Sequence, residues 1–476
     1  MDFEKQISLL FMIAQRNICE PKHTIFSIKI NFWNIYYCKN KHQDREVEMN
    51  QAIAVKGESP AASGLLITLY NREHLLRAFG EDFAQAAIAT LQRQVHLWGA
   101  SVLALNTDSF LAEPAPTERH DLAALAERWQ VALTCTALEW HSQRALPVIG
   151  VRPVRSLMGD DRLDRLHPLH PLSAQDAWPS LRPPPISYGW DWQLTYERDM
   201  AIAEDFFALA EQGQAALALQ PIARQPRDAQ RPQRNPVLYH EALLRWHPDN
   251  RRLKDLGPGQ VVNALERLGL VRMLDHAVLS TVIDALERRP ELHLGCNLSA
   301  SSLVLDSWWS SPLQRLAQAP AVASRLTVEI TESTAVGDME AALAFTRHLK
   351  SLGCQLALDD FGSGYGALGF AMAVPLNVIK LDRRLLHSAR GNRSAMEQLQ
   401  NLSRLCRTLA PKVVAEGVET PQDMHNLRLI ELDWAQGFWI GRPLLGEQPL
   451  HLRWPERIAS YPSMQLIPTD TVPLST

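Results

Sequence analysis

Gln355-Leu-Ala-Leu-Asp359-Asp360-Phe361-Gly362-Ser363-Gly364-Tyr365 sets the reading of this chain. A short apolar run ends in two adjacent carboxylates, and a loop with two glycines follows. Within a regular strand neighbouring side chains point to opposite faces. The two aspartates therefore converge only where the strand gives way to the loop, and Gly362 and Gly364 supply the backbone freedom for that turn. Two close carboxylates repel and lose hydration together, so a stable pair requires a shared proton or a cation. Taken alone, the run equally fits a solvated turn that holds two aspartates.

The same theme repeats on both sides: an apolar run, a polar cluster at its C-terminal end, then a helical stretch. The runs end at Glu241, Asn297, Glu329, Asp359, Lys380, Glu416 and Gln436, with gaps of 56, 32, 30, 21, 36 and 20 residues. Those gaps bracket the roughly 30 residues of a βα unit. With Ala216 to Ile222 ahead of them the runs make eight strands. The fold class expected is α/β, a (β/α)8 TIM-like barrel preceded by a small α/β domain. Chemistry in such a barrel sits at the C-terminal strand ends, where the polar clusters fall.

Glu241, Asn297, Glu329, Asp359, Asp360 and Glu416 would then form an oxygen-only nest at one mouth. Glu241 stands in the apolar Tyr239-His-Glu241-Ala242-Leu243-Leu244-Arg245-Trp246, where an unpaired carboxylate is costly. Hard oxygen donors suit Mg²⁺ or Mn²⁺ rather than Zn²⁺, which prefers His and Cys. An Asp bridging two ions is the layout of two-metal phosphodiester chemistry. Lys380, in Asn377-Val-Ile-Lys380-Leu-Asp382, can hold or deprotonate a metal-bound water, or serve as a plain salt-bridging lysine.

Composition narrows the partners. Against 52 Asp+Glu stand 48 Lys+Arg, a formal net charge of −4, so no basic field exists for a nucleic-acid polymer or an anionic membrane. No apolar run approaches the roughly 20 residues of a transmembrane helix, and we expect no membrane span and a cytoplasmic chain. Six scattered cysteines without a CxxC argue against a disulfide framework or a zinc site. We divide the chain into an atypical segment 1–48, an α/β domain 62–155, a proline-rich linker 156–190, the barrel 193–455 and a tail 456–476. Segment 1–48 holds five of the ten lysines. Either it is a regulatory arm, or it is upstream sequence joined to a protein that starts at Met49; the second reading is favoured.

The stretch from about Thr195 to Pro443 resembles the EAL-domain phosphodiesterases of bacterial cyclic di-GMP, named for the signature here at Glu241-Ala242-Leu243. Gln220-Pro221-Ile222, Asn297-Leu298-Ser299, Glu329 to Ser333, Asp359 to Tyr365, Lys380-Leu-Asp382, Ala415 to Thr420 and Gln436 to Pro443 follow in family order. The resemblance implies two ions, Mg²⁺ or Mn²⁺: Glu241, Asn297, Glu329 and Asp359 hold one, and Asp359, Asp360 and Glu416 the other. It makes Lys380 the water-orienting lysine and places Gln436 at the end of the last strand. Gln220, Arg245 and Asp382 become substrate contacts. Glu332 anchors the loop from Phe361 to Leu368, which assembles the metal site and a homodimer through the barrel. The implied reaction is hydrolysis of cyclic di-GMP to linear pGpG; the alternatives are a catalytically weak cyclic di-GMP receptor and a protein-interaction module. Gly366, Val261, Leu265-Glu266 and Asp423 depart from the family pattern, and none removes an implied ligand.

The front domain resembles a degenerate GGDEF (diguanylate cyclase) domain, with Asn106-Thr107-Asp108-Ser109-Phe110 after an apolar strand. Asn106 and Thr107 replace the two glycines that a cyclase needs, and Ser109 its acid. An unrelated sensory α/β domain is the competing reading.

Overall fold

Strand alternation and strand pairing together decide where every functional side chain points. The computed structural model describes residues 64–140, 143–154, 183, 184, 186, 191–224, 236–246, 253, 255–331, 338–362, 367–454, 464 and 465.

The front region has β1 (Gly64–Leu69), α1 (Arg72–Phe79), α2 (Glu81–Leu97), β2 (Ser101–Ala104), β3 (Ser109–Glu113), α3 (Leu122–Thr134), β4 (Leu138–Trp140), β5 (Gln143–Ala145) and β6 (Ile149–Val154). Four of these strands form a fully antiparallel sheet in the order β2-β3-β1-β6. Asn106 to Asp108 make the turn of the β2–β3 hairpin, with Asp108 N–H donating to Asn106 Oδ1 at 3.0 Å. Most of the proline-rich linker lies outside the described residues.

Helix α4 (Trp192–Glu211) leads into the barrel strands β7 (Ala215–Arg224), β8 (Val237–Trp246), β9 (Leu294–Leu298), β10 (Leu326–Thr331), β11 (Gln355–Phe361), β12 (Val378–Leu381), β13 (Lys412–Ala415) and β14 (Trp434–Ala435). They pair in sequence order, and β14 pairs back on β7, which closes an eight-stranded barrel. Helices α5 (Pro258–Leu268), α6 (Val271–Arg288), α7 (Ser310–Gln318), α8 (Met339–Ser351), α9 (Ala367–Ala373), α10 (Arg383–Ser388), α11 (Arg393–Leu409) and α12 (Pro421–Leu429) fill the connections. Local chemistry starts several of them: Asp338, Asn392 and Thr420 each accept a first-turn N–H as N-cap. A short β15 (Leu450–His451) adds to β7.

One strand departs from the repeating βα theme. β7 runs antiparallel to both β8 and β14, whereas β8 through β14 are parallel. Because β8 pairs along its whole length with β7, Glu241 lies in the middle of β8 and not at its end.

The barrel interior is layered. Ile222, Tyr239, Ala357, Val378 and Val414 form their own buried apolar cluster. Two residues along each strand, on the same face by the strand period, come Glu241, Asp359, Lys380 and Glu416. On the reversed β7 the partner of Ile222 is two residues earlier, Gln220. An apolar floor thus supports a polar tier.

The front region seats on the barrel through buried polar contacts. Asn71 Nδ2, held within the front region by Leu146 O at 3.0 Å, donates to Tyr196 Oη at 3.2 Å, and His276 faces Glu127 at 3.3 Å. Trp308 and Trp309 are fully buried and donate through their indole N–H groups to Arg272 O and Ser302 O, so this pair packs the interior.

Candidate metal centre

Carboxylate oxygens of Glu241, Glu329 and Asp359 lie within 4.8 Å of one another, all three side chains buried. The Lys380 ammonium, with no solvent exposure, stands among them. Its Nζ is 2.9 Å from Glu241 Oε2, 2.7 Å from Glu329 Oε2, 2.8 Å from Asp359 Oδ1 and 2.9 Å from Glu416 Oε1. An ammonium carries three N–H donors. They go to Glu241, Glu329 and Glu416, and Asp359 Oδ1 is left with an ion pair but no hydrogen bond.

The backbone explains how neighbouring aspartates reach one mouth. The pairing of β11 with β12 shifts register between Leu358 and Phe361, a bulge at Asp359 and Asp360. Asp360 adopts φ 54°, a left-handed conformation uncommon for a residue with a Cβ, and Gly362 follows at φ 93°. The turn that sequence assigns to the glycine loop therefore begins one residue earlier, on Asp360 itself. Ser363 to Gly366 and Glu332, the loop and its expected anchor, lie outside the described residues.

Charge is unbalanced. Four carboxylates face one ammonium, in a site where solvent screens little. Burial raises the Glu241 carboxyl, but Lys380 and the amides of Gln436 and Asn297 outweigh it and hold Glu241 below the usual range. Glu329 goes well above that range through burial and then the Glu241 charge. Burial followed by Asp359 does the same to Glu416. Asp360 is pushed up to about 6 by burial and by Asp359. A group of carboxylates in which some ionise readily and others resist is short of positive charge.

Polar side chains brace Glu241 in detail. Asn297 Nδ2 donates to its Oε1 at 2.7 Å, and Gln436 Nε2 donates to its Oε2 at 2.6 Å. Gln436 Nε2 also reaches Gln220 Oε1 at 3.2 Å, and Gln220 Nε2 donates to Gly441 O at 3.0 Å. Arg245 Nη1 donates to the Leu244 carbonyl at 2.6 Å, and the Glu241 charge acts on its guanidinium. Asp382 is engaged locally: its Oδ1 accepts the Arg384 N–H as a helix cap, and both carboxylate oxygens bind the Arg384 guanidinium.

The roles of three supporting residues escaped the sequence reading. Tyr239 lies buried beneath the tier, and its hydroxyl has no hydrogen-bond partner. At Gly295 any Cβ would collide with the Glu329 carboxylate and the Tyr239 ring; a glycine inside a strand is the signal for such close approach. Asp423, fully buried, accepts from Glu419 N at 3.0 Å, Thr420 N at 2.9 Å and the Arg390 guanidinium at 2.8 Å. It ties down the segment that follows Glu416.

The donor set fits a hard divalent cation. All the converging atoms besides Lys380 Nζ and the amide nitrogens are oxygens, and Glu329 Oε1, Asn297 Oδ1 and Gln436 Oε1 are buried without a hydrogen-bond partner. Glu241, Glu329 and Asp359 can hold a metal ion. No helix among the described residues is long and apolar enough to cross a membrane.

Known proteins are similar to this chain over the barrel. The chain is 32% identical over 209 residues to the cyclic di-GMP phosphodiesterase NbdA of Pseudomonas aeruginosa, covering 43% of this chain and 26% of NbdA. It is 29% identical over 260 residues to the bifunctional diguanylate cyclase/cyclic di-GMP phosphodiesterase MucR of the same organism, covering 53% of this chain and 36% of MucR. The chain thus spans about a quarter to a third of the length of these curated relatives. A solved structure of the PaMucR phosphodiesterase in its c-di-GMP complex shares 30% identity, with a TM-score of 0.43, covering 49% of this chain and 99% of that one. The model of the EAL domain matches residues 201–443, from α4 through the turn after β14, and so takes in every residue of the polar tier. By that match, over half of its length, the chain belongs to the EAL-domain family.

Proposed function

We propose that the barrel hydrolyses one phosphodiester of cyclic di-GMP to linear pGpG, with two Mg²⁺ or Mn²⁺ ions in the mouth. The observation that carries this reading is the set of four carboxylates around Lys380, in a chain of the EAL-domain family. Glu241, Asn297, Glu329 and Asp359 would hold one ion, and Asp359, Asp360 and Glu416 the second. When bound, such ions supply Lewis acidity and neutralise charge on the reacting phosphate.

The chain's own groups do the positioning. Gln436 and Asn297 fix both oxygens of Glu241, and Arg245 offers a planar guanidinium suited to a phosphate. Gln220, bridging Gln436 and Gly441, holds the adjacent wall of the mouth. Asp382 offers substrate the acceptor capacity left beside its bonds to Arg384. Hydrolysis adds the oxygen of water to phosphorus and returns a proton to the departing ribose 3′ oxygen; Lys380, buried and cationic, is placed to orient the water.

The same reading assigns a cytoplasmic location, a homodimer through the barrel and a degenerate GGDEF-like front domain with no cyclase activity. The hairpin turn at Asn106 to Asp108 supports the last point, because it offers neither paired glycines nor a carboxylate cluster. Incubating the full chain with cyclic di-GMP and Mg²⁺ or Mn²⁺, with chromatography of products, tests it. A pGpG peak, suppressed when Ca²⁺ is the sole divalent ion, is expected. Tight binding without product would instead favour the receptor.

A further inference from the structure

We infer that Lys380 is a built-in stand-in cation, which holds the carboxylate tier together without metal and which the first divalent ion must dislodge. The inference rests on the reading of the barrel mouth as a cation site. Its basis is the position of Nζ: 2.7–2.9 Å from oxygens of Glu241, Glu329, Asp359 and Glu416, each on a different strand or strand end. A water-orienting lysine needs only to reach the edge of a metal pair. This one occupies the centre of the carboxylate set, completely buried.

Donor arithmetic gives the stand-in its limits. Three N–H groups satisfy Glu241, Glu329 and Glu416, and the fourth oxygen, Asp359 Oδ1, receives charge without a proton. Glu329 Oε1 and Asn297 Oδ1 are likewise buried and unbonded. These three oxygens, all on residues of the tier, are buried without a hydrogen bond, so an arriving ion has ligands available before any hydrogen bond is broken. To engage Glu241 and Glu416 it must then take over the oxygens that Lys380 holds. Removing one partner of a buried charge cluster leaves the others uncompensated. The chain can therefore fold without metal because of Lys380, and binds metal more weakly because of it.

Lys380→Met in the full chain tests this without substrate. The variant is prepared with Mg²⁺, divided, and one half stripped with a chelator; urea midpoints and calorimetric Mg²⁺ titrations are then compared with wild type. We expect the stripped variant to unfold at lower urea than stripped wild type, and Mg²⁺ to raise the variant's midpoint more than it raises that of wild type. Its Mg²⁺ dissociation constant should be tighter by about tenfold or more. Collapse of the variant on chelation supports the stand-in, and the double variant Lys380→Met/Glu329→Gln should then regain part of the metal-free stability. Equal metal-free midpoints with equal Mg²⁺ affinities would overturn the stand-in and leave the metal site intact. Absence of Mg²⁺ binding by wild type and variant alike would overturn the metal site itself.

Discussion

The floor and the tier of the barrel use the same strands, two residues apart, to opposite ends. Tyr239 and Glu241 share β8, Ala357 and Asp359 share β11, and Val378 and Lys380 share β12. The floor is buried and the tier is buried but for the partly exposed Glu416, yet the floor is stabilised by area removed from water and the tier only by mutual satisfaction of charge. A barrel of this kind concentrates polar cost into one layer and seats it on an apolar one. The lesson is that burial alone does not identify a core: Glu329 and Lys380 have no more exposure than Ile222.

The comparison breaks most visibly at Glu241, whose two oxygens receive hydrogen bonds from Lys380, Gln436 and Asn297. Glu241→Ala should reduce turnover of cyclic di-GMP by on the order of 10² to 10³ or more, as loss of a central electrostatic group does. A purified variant hydrolysing at near wild-type rate with Mg²⁺ would remove Glu241 from the reaction. Ile222→Ala should do the reverse. Deleting buried methyl groups from the floor should cost about 2–5 kcal/mol in a urea titration, with the Mg²⁺ dissociation constant unchanged. A shifted constant would mean that the layers are not separable.

Much of this layering is legible in the sequence, because a strand period of two is written directly into Tyr239-His-Glu241 and Gln355-Leu-Ala-Leu-Asp359. The polar residue that interrupts each apolar run marks the tier, although Glu241 lies inside its strand rather than closing it, and the run spacing marks the barrel. The reversal of β7 was not legible, since an apolar run carries no sign of its direction. The bulge at Asp359 was half legible: two adjacent aspartates before glycines demand a turn, but only the backbone reveals that Asp360 itself turns. Tyr239 and Gly295 were hidden because their role is set by approach across strands rather than along one. The contacts of Asp382 with Arg384 were missed because an aspartate before a helix caps it locally.

Asp275, on α6 and outside both layers, sharpens the contrast between a carboxylate held by a lysine and one that is not. It accepts from Ser299 N at 3.0 Å and from the Ser302 hydroxyl, and burial pushes its carboxyl up to about 7. A folded value above the unfolded 3.8 means that the native state binds the extra proton, so stability falls as pH rises from about 4 to about 7. Wild type should lose about 1–3 kcal/mol over that window from this group, and Asp275→Asn should flatten the profile. An unchanged slope in the variant would show that Asp275 carries its charge in the fold without penalty.

Tyr239 sits where the layers meet, and its variant should have the smallest effect. The ring belongs to the floor, packed with Ile222, Ala357, Val378 and Val414, whereas the hydroxyl lies within the field of Glu329 and Lys380. A buried hydroxyl without a hydrogen bond carries a desolvation penalty that nothing offsets. If Tyr239 is a floor residue, Tyr239→Phe keeps the packing and removes the penalty, so stability should hold or rise by up to about 1 kcal/mol, and Mg²⁺ affinity and turnover should not move. If the hydroxyl instead serves the tier, for example by donating to Glu329 once a cation has drawn that carboxylate into its charged form, the same variant should bind Mg²⁺ more weakly at unchanged urea stability. Calorimetry and urea titration of one variant therefore decide on which side of the boundary this residue stands.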